Sequence, residues 1–368
     1  MQRAIPPDLA HVRGAGHAGA AQREAVGDLH LAADDFPGAL AEYAAALREV
    51  GPGAPAERAR LLLLIAQVRT AAGEYDEALA AVAEARGIAR LLRDRRLGAR
   101  VAARLAHVVV QQGRYRRGLR YARHAYAVLR DTDEHRVVGQ VTLTLGLCLT
   151  RLGETAAAVE WLQNAAATFR RIDDTGGLVD ALSTLGMVYK NLREWREATR
   201  LLEQALRLDE RAGLYARMRG HCQNLGLIRY RLGQWDLAEE DFRQSLRISR
   251  ETGHQQGEAA ALLALGLLAR RRRQLERAGE QYRQALELAR AAGAWRETVL
   301  AREFLGELAL DRGDAGAALT LLGTALEEAR QRAPQGDLVA ELETRLGLAL
   351  LAANRAGEAP AHLAQGAA

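Results

Sequence analysis

The sequence predicts an all-α protein in which pairs of helices stack side by side along the chain. A turn signal recurs about every 40 residues, and small residues recur at fixed distances from each turn. Composition agrees, because Ala and Leu dominate, aromatic residues make up only 5%, and no segment is rich in strand-forming residues. Since one pair of helices cannot bury its apolar face alone, each pair must pack against its neighbours.

Residues 182–205 (LSTLGMVYKNLREWREATRLLEQA) define the repeating unit. The stretch reads as two amphipathic helices joined by a tight turn. Gly186 and Ala198 are small residues at places where the two helices must approach closely. Tyr189 and Trp195 supply apolar bulk around them, so the unit predicts a closely packed helical hairpin.

The turn position of this unit recurs in nine copies, with a slip of one residue at each end. It falls at Asp34, Gly73, Gly113, Gly153, Arg193, Gly233, Arg273, Gly313 and Asn354. Seven residues earlier stand Gly27, Ala66, Ala106, Gly146, Gly186, Gly226, Gly266, Gly306 and Gly347. Five residues later stand Ala39, Ala78, Gly118, Ala158, Ala198, Ala238, Ala278, Ala318 and Ala359. Gly inside a helix costs about 1 kcal/mol relative to Ala, so a repeated helical Gly predicts backbone contact between helices.

These residues resemble a known repeat family, the tetratricopeptide repeat (TPR). The pattern is carried by Leu185, Gly186, Tyr189, Trp195, Ala198 and Ala205. The resemblance covers about residues 20–366, with a unit of 40 residues where the usual TPR has about 34. It is similar to the longer subclass of bacterial regulators and of kinesin light chain. The resemblance implies a right-handed α-solenoid of about nine units that binds partners and does not catalyse.

Residues 1–19 precede the repeats and predict a flexible leader. They contain G-x-G-x-x-G at Gly14, Gly16 and Gly19, but that motif binds dinucleotides only between a strand and a helix. The solenoid is predicted over residues 20–366. Its helix pairs fall near 20–49, 57–92, 96–130, 135–171, 176–212, 215–252, 255–292, 295–332 and 336–366. Asp133, Asp173, Gly213, Gly253 and Gly293 recur at the breaks between pairs and predict a second column of turns.

The last repeat keeps an apolar side, with Ala356, Ala359 and Leu363. A solenoid normally ends in a polar capping helix. Two explanations remain open: the natural protein continues beyond this end, which we favour, or the C-terminal repeat associates with a second copy of itself.

The resemblance assigns a concave groove to the first helix of each pair. The positions three and two residues before each turn predict the candidate binding residues Arg151, Lys190, Asn191, Tyr230, Arg231, Arg270 and Arg271. In the eighth copy, Asp311, Glu303 and Glu307 make the corresponding face acidic. Arginines in a partly desolvated groove suit carboxylates or phosphates. The alternative is that an arginine-rich surface produces such columns by accident.

Asn224 matches a position that, in long-repeat TPR adaptors, commonly holds the backbone of an extended peptide. An amide can donate to a carbonyl and accept from an N–H group. Only this copy carries it, so Asn224 is a candidate partner-binding residue. The alternative is a local helix–helix hydrogen bond.

The third repeat is strongly basic, with twelve arginines and one acid, Asp94, from Arg90 to Arg130. Arg96, Arg100 and Arg104 lie four residues apart on one helical stripe, and Arg100 and Arg104 are candidate partner-binding residues. Three interpretations stay open: a solvated face with intramolecular contacts, an acidic protein partner, or, least favoured, nucleic acid.

No catalytic residue, metal ligand or cofactor is predicted. P-loop, H-E-x-x-H, C-x-x-C and G-x-S-x-G motifs are absent from the sequence. His107 and His221 read as helix-surface residues, and Glu239, Glu240 and Asp241 as a surface acidic run. Cys148 and Cys222 occupy different template positions, so we do not expect them to pair.

We therefore predict a non-enzymatic scaffold that binds an acidic protein or peptide in its groove, as a module of a larger bacterial regulator. The alternative is a ligand- or peptide-sensing module of a transcription regulator or signalling ATPase whose effector domain lies outside this chain. The net charge of +5 rests almost wholly on arginine, since Lys190 is the only lysine, and the codon bias of a GC-rich bacterial genome explains this as well as selection does. With no apolar run of membrane-spanning length and no secretory signal, we expect a cytoplasmic protein and no membrane partner.

Overall fold

The computed structural model describes residues 19–32, 35–50, 53–333 and 337–367. These residues form eighteen helices and no strand, which confirms the predicted all-α fold of about nine helix pairs. The helices are α1 (Ala20–Ala32), α2 (Phe36–Val50), α3 (Pro55–Ala71), α4 (Tyr75–Leu91), α5 (Arg95–Gln111), α6 (Tyr115–Leu129), α7 (His135–Arg151), α8 (Thr155–Arg171), α9 (Thr175–Asn191), α10 (Trp195–Arg211), α11 (Tyr215–Arg231), α12 (Trp235–Glu251), α13 (Gln255–Arg271), α14 (Leu275–Ala291), α15 (Trp295–Asp311), α16 (Ala315–Arg332), α17 (Asp337–Ala352) and α18 (Ala359–Ala367). The leader motif at Gly14 and Gly16 and the turn position Asp34 lie outside the described residues.

The chain divides into two compact units, Met1–Val188 and Tyr189–Ala368. Inside each unit, consecutive helices pack against each other, and the first helices of neighbouring pairs also touch. In the first unit these first-helix contacts join α3 to α5 and α5 to α7. In the second unit they join α11, α13, α15 and α17 in that order. The first helices thus form a continuous row within each unit.

The turn inside each pair is a Schellman motif that ends the first helix. Gly73 has φ of 81°, its N–H donates to the Thr70 carbonyl at 3.2 Å, and the next N–H, of Glu74, donates to the Arg69 carbonyl at 2.8 Å. These bonds satisfy carbonyls left free at the helix end. The same left-handed turn is formed without glycine at Arg193, Arg273 and Asn354.

Most breaks between pairs repeat this left-handed turn. Asp173, Gly213, Gly253 and Gly293 lie at breaks, as predicted, and have positive φ, and Arg93 occupies the same place with φ of 52°. Asp133 also lies at a break, as predicted, but it does not have a positive φ. Its break is instead closed by Thr132, whose N–H and hydroxyl both donate to the Leu129 carbonyl.

The small-residue columns mark the closest contacts between paired helices, as expected. A Cβ atom at Gly226 would overlap the ring of Phe242, and one at Gly266 would overlap the ring of Tyr282. A Cβ atom at Gly306 would lie 2.8 Å from Cγ of Leu322. In every case the partner lies sixteen residues further along, so one spacing sets how the two helices of a pair meet.

Candidate functional site

The predicted binding residues lie on the row of first helices, which we call the first-helix surface. It is formed by α3, α5 and α7 in the first unit and by α11, α13, α15 and α17 in the second. Lys190 and Asn191 end helix α9 and belong to the second unit.

In the first unit, Arg104 is a cation without an acidic partner. Its Nη2 donates to Oε1 of Gln67 on α3 at 2.7 Å, and no carboxylate of the described residues binds it. Desolvation by the surrounding helices lowers the Arg104 pKa to about 10. Desolvation and the charge of Arg104 lower the pKa of nearby His107 to about 4. At neutral pH this part of the surface therefore holds a charged guanidinium beside a neutral imidazole.

Arg100, one turn before Arg104, is neutralised within the protein. Its Nε lies 2.5 Å from Oε2 of Glu134. Arg96, at the start of the same stripe, faces Asp133 at 3.8 Å. Of the predicted stripe, only Arg104 is left without a carboxylate, which fits the intramolecular interpretation for the other two.

In the second unit, Lys190 and Asn224 bind each other. The Lys190 ammonium donates to Oδ1 of Asn224 at 3.1 Å, and Nδ2 of Asn224 donates to the Gly220 carbonyl at 3.0 Å. Burial lowers the pKa of Lys190. The amide of Asn224 therefore makes the local bonds expected under its alternative interpretation. A peptide would have to displace or share them.

Two predicted arginines stack on aromatic rings of the preceding repeat. The guanidinium carbon of Arg151 lies 6.0 Å from the ring centre of Tyr115, and that of Arg271 lies 5.9 Å from the ring centre of Trp235. Both arginines are exposed to solvent. Such cation–π contacts contribute about 0.5–1 kcal/mol at exposed sites. We interpret them first as links between repeats.

The other predicted residues in the middle of the second unit differ in burial. Tyr230 is partly buried and packs on the core around Phe242 and Leu265. Arg231 and Asn191 are exposed, and their side chains make no hydrogen bond or ion pair with the described residues. Only the latter two are therefore available to a partner without rearrangement.

Arg270 is balanced by the acidic face of the next first helix. Its Nε lies 2.5 Å from Oδ2 of Asp311, and its Nη1 binds Glu307. Burial opposes the charged form of Arg270, but these two carboxylates outweigh it and raise the pKa. The predicted basic and acidic ends of this surface therefore meet in an ion pair.

Beside that ion pair lies Glu303, which is only 2% exposed. Its Oε2 has no hydrogen-bond partner among the described residues. Burial, followed by the charges of Glu307 and Glu341, raises the Glu303 pKa to about 7. Arg345 only partly opposes this, because its Nε lies 3.7 Å from Glu303 and 2.5 Å from Glu307. The acidic face thus contains a carboxyl group that titrates near neutral pH.

The surface expectation is wrong for His221 and for two residues of the acidic run, while the third, Glu240, is exposed as predicted. Glu239 and Asp241 are 8% and 6% exposed, and His221 is 8% exposed. Asp241 accepts two hydrogen bonds from Arg229 at 2.7 and 2.8 Å, and His221 binds Asp209 at 3.1 Å. Neighbouring arginines and carboxylates compensate these groups, which is how polar side chains remain buried at a helix interface.

Both cysteines lie in the packed interior of their helix pairs. Cys148 and Cys222 are buried, and burial raises their pKa values to about 11 and about 12. The described residues contain no cluster of three or more His, Cys, Asp or Glu side chains placed to hold a metal ion. None of the described helices has the length and apolar character needed to cross a membrane.

Sequence reasoning missed Gln67 and an arginine group around Arg86. Gln67 stands one repeat of 40 before His107, so the template itself carries a signal for it. Arg86 and Arg90 lie four residues apart on α4, and Arg86 lies just before the basic stretch from Arg90 to Arg130. Counting that stretch from Arg90 separated the two arginines.

Comparison with known proteins agrees with this architecture. A tetratricopeptide repeat model matches residues 138–211 and 216–291, and a second such model matches residues 25–91. Together these stretches cover more than half of the chain. A search of curated proteins gave no match.

Solved structures share the fold at low sequence identity. The apo form of the quorum sensor NprR from B. thuringiensis matches with a TM-score of 0.65 and 15% identity, covering 91% of this chain and 98% of that one. A signal transduction ATPase with a tetratricopeptide repeat sensor from Pyrococcus horikoshii gives 0.66 and 12%, covering 97% of this chain and 53% of that one. Aspartyl phosphate phosphatase F from Bacillus subtilis gives 0.59 and 11%, covering 89% and 97%. With its repeats, its helix pairs and the matching family models, this chain belongs to the tetratricopeptide repeat family.

Proposed function

We propose that this chain is a protein-interaction module that binds an acidic peptide segment along its first-helix surface. Membership of the tetratricopeptide repeat family supports a binding role. The fold shared with a quorum sensor and with a sensor-bearing ATPase supports a regulatory setting. The proposed role is recognition and not catalysis.

The observation that carries this proposal is the isolated charge of Arg104. A desolvated guanidinium that binds only the neutral amide of Gln67 has unused donors and no counter-charge. A guanidinium binds a carboxylate with two parallel hydrogen bonds, and such charge-assisted bonds are about twice as strong as neutral ones. Arg104 is therefore suited to anchor an Asp or Glu side chain of a bound peptide.

The second unit supports the same ligand chemistry in a weaker form. Lys190 is partly desolvated and paired only with the amide of Asn224, while Arg231 is exposed. We propose that Lys190, Asn224 and Arg231 contact a peptide there. Arg270 would not take part, because Glu307 and Asp311 already bind it. These carboxylates would repel an acidic peptide, so the binding region would end before α15.

A sensing module of a larger regulator is the second candidate. The observation that favours it is the match to the signal transduction ATPase with a tetratricopeptide repeat sensor. In that match 97% of this chain aligns with only 53% of the ATPase, so the ATPase contains further residues beyond the matched repeats. Under this proposal, peptide binding would control an effector domain outside this chain. Both candidates use the same surface, so one binding experiment addresses them together.

The test is fluorescence anisotropy with labelled pools of short peptides. One pool carries Asp and Glu at alternate positions, and a second pool carries Lys and Arg there. The variants are Arg104→Gln and, as a control, Arg116→Gln, an exposed arginine on the second helix of the same repeat. Circular dichroism checks that both variants keep their helices.

We expect the acidic pool to bind and the basic pool to bind far more weakly. Loss of a charged hydrogen bond costs about 1.5–3 kcal/mol, so Arg104→Gln should weaken binding about tenfold or more. Arg116→Gln should leave it nearly unchanged. Equal affinity of the two variants, or equal binding of the two pools, would contradict the proposal.

A further inference from the structure

A cavity of about 380 Å³ opens in the first unit between α4, α5 and α6, away from the Gln67 and Arg104 pair. Its lining combines basic side chains with an apolar floor. The lining residues are Arg86, Ala89, Arg90, Arg93, Asp94, Arg95, Gly98, Val101, Ala102, Leu105, Tyr121, His124 and Val128. The cavity is in the size range of small-molecule sites, which is about 300–1,000 Å³.

The positive charge around this cavity is not compensated within the protein. Arg86, Arg90, Arg93 and Arg95 make no side-chain hydrogen bond and no ion pair with any described residue. The single acid in the lining, Asp94, caps helix α5 instead, accepting from the N–H groups of the second and third residues after it at 2.9 and 3.0 Å. Other exposed arginines on second helices, such as Arg116 and Arg123, also have no carboxylate partner among the described residues, and what distinguishes this group is that its four arginines line one cavity.

All four arginines are exposed and line one opening, so an anion bound there would be attracted by several positive charges at once. Arginine binds phosphate with paired, charge-assisted hydrogen bonds and stacks on planar groups. The floor formed by Ala89, Val101, Ala102 and Leu105 offers apolar contact, and Tyr121 offers an aromatic ring. The lining therefore suits a molecule that is anionic at one end and apolar and planar at the other.

We infer that this cavity binds a small organic phosphate of the nucleoside diphosphate class. Its phosphates would contact the arginines, and its planar group would pack on the floor beside Tyr121. The small volume of this half-open cavity favours a small molecule over a peptide segment. Its lining includes residues of α5 but neither Gln67 nor Arg104, and the inference does not rest on the proposed peptide binding.

The test is isothermal titration of the whole chain at low salt with ADP, with pyrophosphate and with adenosine. The variant Arg86→Gln/Arg90→Gln removes two cavity charges. Its matched control is Arg116→Gln/Arg123→Gln, which removes two exposed, partnerless arginines of the adjacent repeat that do not line the cavity. Circular dichroism verifies that both double variants are folded.

We expect ADP to bind at one saturable site and more tightly than either of its parts. The cavity variant should weaken ADP binding about tenfold or more, because two charge-assisted contacts are lost. The control should change it by less than about twofold. Absence of saturable ADP binding, or an equal loss in both variants, would overturn the inference. An oligoglutamate peptide that binds through Arg86 and Arg90 while ADP does not would overturn it as well.

Discussion

The helix contact at Gly266 allows a quantitative test of the packing. Gly266→Ala adds one methyl group that overlaps the ring of Tyr282, which is fully buried. Gly323→Ala adds the same group in the middle of α16, where nothing lies within 4 Å of it. Both changes gain about 1 kcal/mol of helix propensity. Only the first also forces a large side chain to move, which costs about 1–3 kcal/mol.

We expect Gly323→Ala to stabilise the protein by about 1 kcal/mol and Gly266→Ala to be neutral or to destabilise it. The difference between them, about 1–3 kcal/mol, isolates the packing cost because the propensity gain cancels. Urea unfolding followed by circular dichroism measures both. Repeat arrays can depart from two-state unfolding. Urea midpoints are therefore compared only between proteins whose unfolding free energies depend on urea concentration with the same slope.

The double variant Gly266→Ala/Tyr282→Ala tests the cause of that difference. With the ring gone, the added methyl group should no longer cost stability relative to Tyr282→Ala alone. A double-mutant cycle therefore should give a coupling free energy close to the packing cost. Equal stability of Gly266→Ala and Gly323→Ala, or zero coupling, would refute the contact.

Four further substitutions probe other features by denaturation. Arg193→Gly should stabilise the protein by about 1 kcal/mol, and Gly233→Ala should destabilise it similarly, because both turns are left-handed; unchanged midpoints would contradict this. Arg229→Leu should destabilise by about 3–5 kcal/mol, because it strands the buried Asp241 carboxylate; a mild loss would show that water compensates. The folded-state pKa of Glu303 is about 7, above the unfolded value of about 4.3, so wild-type stability falls as pH rises between these values and levels off above them. Glu303→Gln should therefore gain stability relative to wild type from pH 5 to 8, on the order of 3 kcal/mol, in a pH series of urea midpoints.

The fold could be predicted from the sequence because small residues recur at positions where only small residues fit. Gly226 and Ala238 each meet a neighbouring helix too closely for a larger side chain. Because the same close helix contact recurs in every repeat, small residues recur at the same position in every copy of the sequence unit. The turn at Gly73 likewise recurs because one backbone conformation recurs.

The binding residues could be predicted only in part, because ion pairing depends on neighbours from other repeats. The template placed Arg104 and Arg270 on the same kind of surface. It could not show that Arg270 meets two carboxylates from the next repeat while Arg104 meets only an amide. The burial of Asp241 was missed for a different reason, because its partner Arg229 stands on the other helix of the same repeat and residue spacing alone does not show which side chains of paired helices meet.

The pairing of Arg270 across repeats affects how shortened forms of the protein would behave. A fragment that ends at Ala291 keeps this guanidinium but loses Glu307 and Asp311, which hold it. Such a fragment would carry a newly exposed cation and bind polyanionic resins more tightly than the whole chain. The deleted residues carry more acids than bases, so the fragment is also more cationic as a whole. The severed ion pair is reported by the part of the retention that the Arg270→Gln form of the same fragment loses, and deletion mapping of partners should include that form.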